Sequence, residues 1–323
     1  MFKSFFFNKK WILWSWGGGL LLIFSLLIQV SITVNINEWY KGFYDLLQNA
    51  TKSNISEFWN KIYIFCYLAF PYVILATFTG FFTRVYSLRW REAKTFDYIP
   101  LWKNSPENIE GASQRIQEDT SRFAKIVESL GLQVIRGIMT LIAFIPILWG
   151  LSSGIQIEFL KKIPGSLVWV SLLVSLGGLI ISWFVGIKLP GLEYNNQKVE
   201  ASFRKELVYG EDDRLKYAKP DTVFELFSGI KFNYHRLFYN YGYFDIWVNL
   251  YDQFMVIVPY LVMAPSLFSG VITLGVIVQV SNAFQRVHNS FSLFIHQWTT
   301  ITELRSIYKR LGEFEIAIGY KIN

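Results

Sequence analysis

Cysteine is nearly absent from this chain of 323 residues: Cys66 is the only one. It sits inside an apolar run, and a lone cysteine excludes an intrachain disulfide or a cysteine-based metal site, which leaves packing as its role. Histidine is scarce too, with three. His288 and His296 are too far apart for one helix turn to offer both to a metal, and His235 stands alone, so neither a metal nor another cofactor is expected. The phosphate-cradling G-x-x-x-x-G-K-[ST] does not occur, nor do G-x-S-x-G or H-E-x-x-H. The chain thus carries no P-loop ATPase and shows no enzyme chemistry.

Apolar residues are abundant: 52% of the chain is hydrophobic and 18% aromatic, with a mean hydropathy of +0.30. A spanning helix needs roughly 20 mainly apolar residues. Six stretches meet that requirement: 11–34, 62–85, 126–151, 166–189, 243–264 and 267–287. The 12 Trp and 18 Tyr suit membrane interfaces. The start, MFKSFFFNKK, superficially resembles a signal peptide. The apolar run behind it is too long for an h-region and no small-x-small site follows, so it reads as a retained helix. The expected fold class is an all-α membrane protein, a single transmembrane domain over 1–323.

Net charge is +7, and the basic residues cluster in loops, so topology accounts for them and no nucleic-acid partner is implied. Inner segments would be 1–10, 86–125, 190–242 and everything after Arg286; outer ones would be 35–61, 152–165 and a tight turn at Pro265–Ser266. With Arg84, Lys188 and Arg286 counted beside the inner segments they adjoin, Lys and Arg number 25 inside against 5 outside. This places both termini in the cytoplasm. The inner segments have helical patterning, including Glu118 and Arg122 four apart. A break at Lys188-Leu189-Pro190-Gly191 is followed by a resumed helix, and long helices are expected to project into the cytoplasm.

Ionisable residues inside spans are costly, about 2.5–3.5 kcal/mol each on insertion scales, and mark function or a structural pair. Glu128 and Arg136 share the third span, about 80° apart around a helix. Each could sit near a helix end or pair with a neighbouring helix; alternatively, Glu128 could face a watery cavity, its apolar flank suiting it to proton uptake. Glu193, Glu200 and Glu211 fall on one face of an unbroken helix, with Glu206 off that line. On spacing alone, a solvated face of a cytoplasmic helix with Arg204 and Lys205 as counter-ions explains that row better than a functional one. Asp245 and Asp252 either line a cavity or bond a partner helix.

Several stretches carry a wider resemblance: NEWYKGFYDLLQNA from Asn37, RWREA from Arg89, IEGASQRIQEDTSRFA from Ile109 and MTLIAFIPIL from Met139. GIKLPGLEYNNQKVEASFRKELVYGEDD from Gly186, ITLGVIVQVSNAF from Ile272 and WTTITELRSIYKRLGEFE from Trp298 complete the set. Together, from about residue 30 to 315, the chain resembles the SbmA/BacA family of bacterial peptide-antibiotic uptake transporters.

The resemblance implies an ABC-exporter-like transmembrane fold without its ATPase, six transmembrane helices with long cytoplasmic extensions, and a domain-swapped homodimer in the bacterial inner membrane. It implies uptake of peptides and peptide-like antibiotics, driven by protons and using alternating access. It makes Glu118, Glu128, Glu200 and Glu211 proton-relay candidates, and Tyr44 and Tyr209 cavity or substrate candidates. Better-known members carry an extra helix ahead of the NEWYKGFYDL element, where this chain has one span. Two other readings stay open: a membrane subunit served by a separate ATPase, since EGASQRIQEDTSRF is similar to an element of peroxisomal-type ABC half-transporters, and a non-transporting factor for envelope lipid composition.

Overall fold

The computed structural model describes residues 1–105, 109, 111–213 and 215–320. Among the described residues there are eight long helices: α1 (Gly19–Gln48), α2 (Ile55–Lys103), α3 (Thr120–Leu151), α4 (Ser166–Gly186), α5 (Leu189–Asp212), α6 (Pro220–Phe268), α7 (Leu274–His296) and α8 (Trp298–Ala317). Single π-helical stretches, Leu13–Gly18 and Arg115–Asp119, lead into α1 and α3. Among the described residues there is no strand.

Among the described residues, five helical segments are long and apolar enough to cross a membrane: Leu13–Gln48, Ile55–Lys103, Ala112–Gly154, Ser166–Asp212 and Pro220–Phe268. The chain is therefore a multi-pass membrane protein. At 49 residues each, α2 and α6 run roughly 74 Å at 1.5 Å per residue. That is far more than the ~30 Å of hydrocarbon, so both extend well beyond it.

The segment 35–61, expected outside, is mostly helix, with α1 running to Gln48 and α2 starting at Ile55. Asn54 starts α2, its side-chain oxygen accepting from the Ser56 amide at 3.1 Å. The turn expected at Pro265–Ser266 lies further on, because α6 continues through Pro265 to Phe268. There Gly270 (φ +74) ends the helix. Gly270 N–H donates to Leu267 and Val271 N–H to Ser266, a Schellman closure. Thr273 then caps α7, its hydroxyl accepting from the Val276 amide. The sixth expected span, 267–287, is accordingly divided between the end of α6 and α7, and α7 is not among the five apolar segments.

The chain forms two compact units. The first comprises Met1–Ser175 and Val256–Asn323. In it α7 packs along α3 and α1, α1 lies against α2 and α3, and α8 lies on α3. One apolar core joins Phe5, Trp90, Tyr98, Phe123, Leu311 and Phe314, with the Phe5 and Trp90 rings stacked at 5.6 Å. The other gathers Phe144, Leu148, Leu167, Met263, Val280 and Phe284. The second unit, Leu176–Met255, holds the end of α4, α5 and most of α6. Gly178, Ser182 and Gly186 recur every fourth residue of α4 and meet Tyr251, Trp247 and Phe244 of α6. Ser182 accepts from the Trp247 indole at 2.8 Å. Small residues of this kind let two membrane helices approach closely.

Candidate functional site

Apolar helices leave few places for polar side chains, and the first unit collects them where α1, α2, α3 and α7 meet. Gln29 of α1 is buried inside the run LLIFSLLIQVSITV. Its amide nitrogen donates to Thr79 of α2 at 2.8 Å, and Thr79 and Ser25 share a 2.5 Å hydrogen bond. The Gln29 side-chain oxygen accepts from Arg136 of α3 at 2.9 Å. Polar groups in hydrocarbon need such partners, and this chain of bonds links three helices. Of the two explanations open for Arg136, a bond to a neighbouring helix is the one the structure shows.

Glu128 lies in the same unit. It is 7% exposed, and Oε1 has no hydrogen-bond partner among the described residues. Thr83 and Tyr86 of α2 are its polar neighbours, and the Tyr86 hydroxyl donates to the Ser15 carbonyl at 2.9 Å. A buried carboxylate with a free oxygen is the most unusual ionisable group in the spanning part of α3.

Glu118 differs from it. It sits in the π-helical stretch, half-buried, ion-paired to Arg122 at 2.7 Å and accepting from Gln114. Next to it, the buried Asp119 accepts from Arg115 at 2.9 Å and from two nitrogens of Arg310 at 2.8 and 3.0 Å. The bond to Asp119 holds the Arg310 guanidinium above its usual value, against the effect of burial.

Glu200, Glu211 and Tyr209 all belong to the second unit, on the unbroken helix α5. Glu200 is half-buried and Glu211 exposed, while Tyr209 packs near Tyr217 at 5.1 Å beneath the Lys205 ammonium. Glu206, off the acidic row, accepts from the Ala218 amide at 2.9 Å. The structure thus divides the candidates: Glu118 and Glu128 in one unit, Glu200 and Glu211 in the other. Tyr44 is half-buried on α1, tilted against Tyr40 and edge-on to Phe43.

The same stretch of α1 has a role that residue spacing did not announce. Asp45 accepts from the Gly275 amide at 3.0 Å and Gln48 from the Leu274 amide at 2.8 Å. The first amides of α7 are therefore satisfied by α1. Gly275 fits because a β-carbon there would run into the Lys41 carbonyl and the Asp45 carboxylate. Among the described residues no cluster of three metal-ligating side chains occurs.

The model of the SbmA/BacA-like family matches residues 8–319. The chain belongs to that family. Similar relatives include "Inner membrane ABC transporter ATP-binding protein YddA" of Escherichia coli K12, 29% identical over 318 residues, which cover 91% of this chain and 56% of the relative. Another is "ABC transporter D family member 2, chloroplastic" of Arabidopsis thaliana, 28% identical, covering 91% of this chain and 42% of the relative. A third, an uncharacterized ABC transporter ATP-binding protein of Haemophilus influenzae, is 25% identical and covers 80% and 46%. The chain spans about half the length of these relatives. Family membership and the relatives' names support a membrane transporter.

Proposed function

We propose that this protein takes up peptides and peptide-like antibiotics across the bacterial inner membrane, driven by the proton gradient and using alternating access. It would act as a homodimer, each copy contributing six spans with both ends in the cytoplasm. The sixth span would be α7, whose polar residues are tolerated because it lies against α1 and α3. The reading is carried by Glu128: a buried carboxylate with an oxygen that has no hydrogen-bond partner among the described residues, in the spanning part of a transporter-family chain. Loading and unloading such a group can bias an inward-open against an outward-open state. Glu118, Glu200 and Glu211 would continue the proton path, with Tyr44 and Tyr209 lining the cavity.

The test is uptake of a fluorescent cationic peptide into proteoliposomes holding the purified protein, with an imposed pH gradient and no ATP. Uptake should follow the gradient, and Glu128→Gln, which keeps shape and loses the titrating proton, should reduce it at least ~100-fold. Gradient-independent uptake would overturn the reading.

A second reading has an observation in its favour. The relatives are named as ABC transporter proteins, and the chain spans about half of each. It could therefore serve as the membrane part of an ABC transporter whose ATPase lies on another chain. Transport that requires ATP and a co-purifying ATPase would favour this alternative. Cavity acids that prove dispensable, with no transport in either assay, would point to the envelope-lipid role.

A further inference from the structure

Arg136 of α3 and Arg286 of α7 line one open crevice of about 200 Å³, together with Gln133, Thr140, Asn289 and Ser290. The two helices come close beside it: a β-carbon on Gly137 would lie 3.6 Å from the Ser290 carbonyl oxygen.

The charge in this crevice is not balanced. Neither arginine takes part in an ion pair among the described residues. The one side-chain partner of Arg136 is the Gln29 oxygen, a neutral acceptor. That oxygen faces Arg136 because the Gln29 amide nitrogen is taken up by Thr79. The guanidinium is thereby held in a set orientation with its full charge. Arg286 is exposed on the same side and has no side-chain hydrogen bond among the described residues.

Two like charges lining one crevice repel each other, and turning Arg136, which belongs to the third span, toward lipid costs several kcal/mol. An anion between them removes both problems. The planar fork of a guanidinium matches a carboxylate in two parallel bonds, and the side-chain amides of Gln133 and Asn289 can donate to the remaining lone pairs. We propose that this crevice binds a carboxylate of the transported molecule, such as the free C-terminus of a peptide. The inference rests on the transporter reading and adds to it: acids would carry the protons, and the arginine pair would recognise the cargo's negative end.

The test uses the full-length protein in lipid nanodiscs. Two synthetic peptides share one sequence without acidic side chains and one neutral fluorophore, and differ only in ending as a carboxylate or an amide. Fluorescence anisotropy should show the free acid binding about tenfold more tightly. Arg136→Gln and Arg286→Gln should each bring that ratio close to one. Arg286→Lys, which keeps the charge, should retain part of it, separating lost recognition from a collapsed crevice. Equal affinities in the unaltered protein, or a ratio that survives both glutamine variants, would overturn the inference while leaving the transporter reading intact. Binding of neither peptide would overturn both. Loss of dimer mass in the variants with the ratio unchanged would assign the arginines to a carboxylate of the second copy and overturn the cargo site.

Discussion

Tyr98 and Glu315 lie 217 positions apart and meet at 2.5 Å, the phenol donating to the carboxylate. The Met1 amine reaches the same carboxylate at 2.9 Å. Beside them Lys94 is fully buried, its ammonium 4.4 Å from the centre of the Phe123 ring and 5.2 Å from that of Tyr98. Asp97 accepts from the Tyr320 hydroxyl at 2.6 Å; burial and then that carboxylate raise the Tyr320 hydroxyl above the usual phenol value. These bonds join α2 to α8 through ionised groups, where a hydrogen bond to a charge contributes about 1.5–3 kcal/mol. Tyr98→Phe keeps the ring against Phe314 and removes one such bond. Its stability should therefore fall by about that amount, read as a lower Tm of the detergent-solubilised protein. The sequence pointed to Glu128 and Arg136 because a charge in an apolar run is conspicuous. It did not point to Tyr98 and Glu315: both stand in mixed stretches where neighbours give no sign of a partner on a distant helix.

At the scale of the helices, two kinds of contact fix which elements lie together. One is the satisfaction of the first α7 amides by Asp45 and Gln48 of α1. Asp45→Ala should cost about 1 kcal/mol, as loss of a helix cap does, while Asp45→Asn should restore most of it; thermal unfolding of the two variants compares them. The other is the Gly178, Ser182, Gly186 row of α4 facing α6. A β-carbon on Gly178 would overlap the Tyr251 ring, so Gly178→Leu should destabilise by about 1–3 kcal/mol, as overpacking does, again seen as a lower Tm. Helix content and the long extensions were legible from apolar runs and sparse breakers. The start of α7 was not. Pro265 drew the boundary forward, whereas a proline near the end of α6 was accommodated and Gly270, with its left-handed backbone, made the turn.

Over the whole molecule, composition was enough for an all-helical chain that crosses a membrane several times. It was not enough to divide that chain into two compact units, because each unit draws on α4 and α6 and no linker marks the division. The sixth expected span, 267–287, overlaps α7, which is not among the segments apolar enough to cross a membrane in the described residues. Hydropathy scores a helix by what it offers to lipid, and α7 turns Gln279, Ser281, His288 and Ser292 inward with Val280, Phe284 and Val287. A helix with that mixture gains more from α1 and α3 than from hydrocarbon.

The order in which the chain enters the bilayer then matters. Leu274–His296 alone, placed in a host protein, should fail to integrate in a microsomal glycosylation assay, while the same segment behind α1 to α6 should integrate. The Gly270 turn ties α7 directly to α6, so α7 would arrive late, as the trailing arm of a hairpin, into a slot that α1 and α3 have already formed. During synthesis the nascent protein would wait with the flanks of α1 and α3 uncovered, and that interval is where chaperones and membrane proteases would find it.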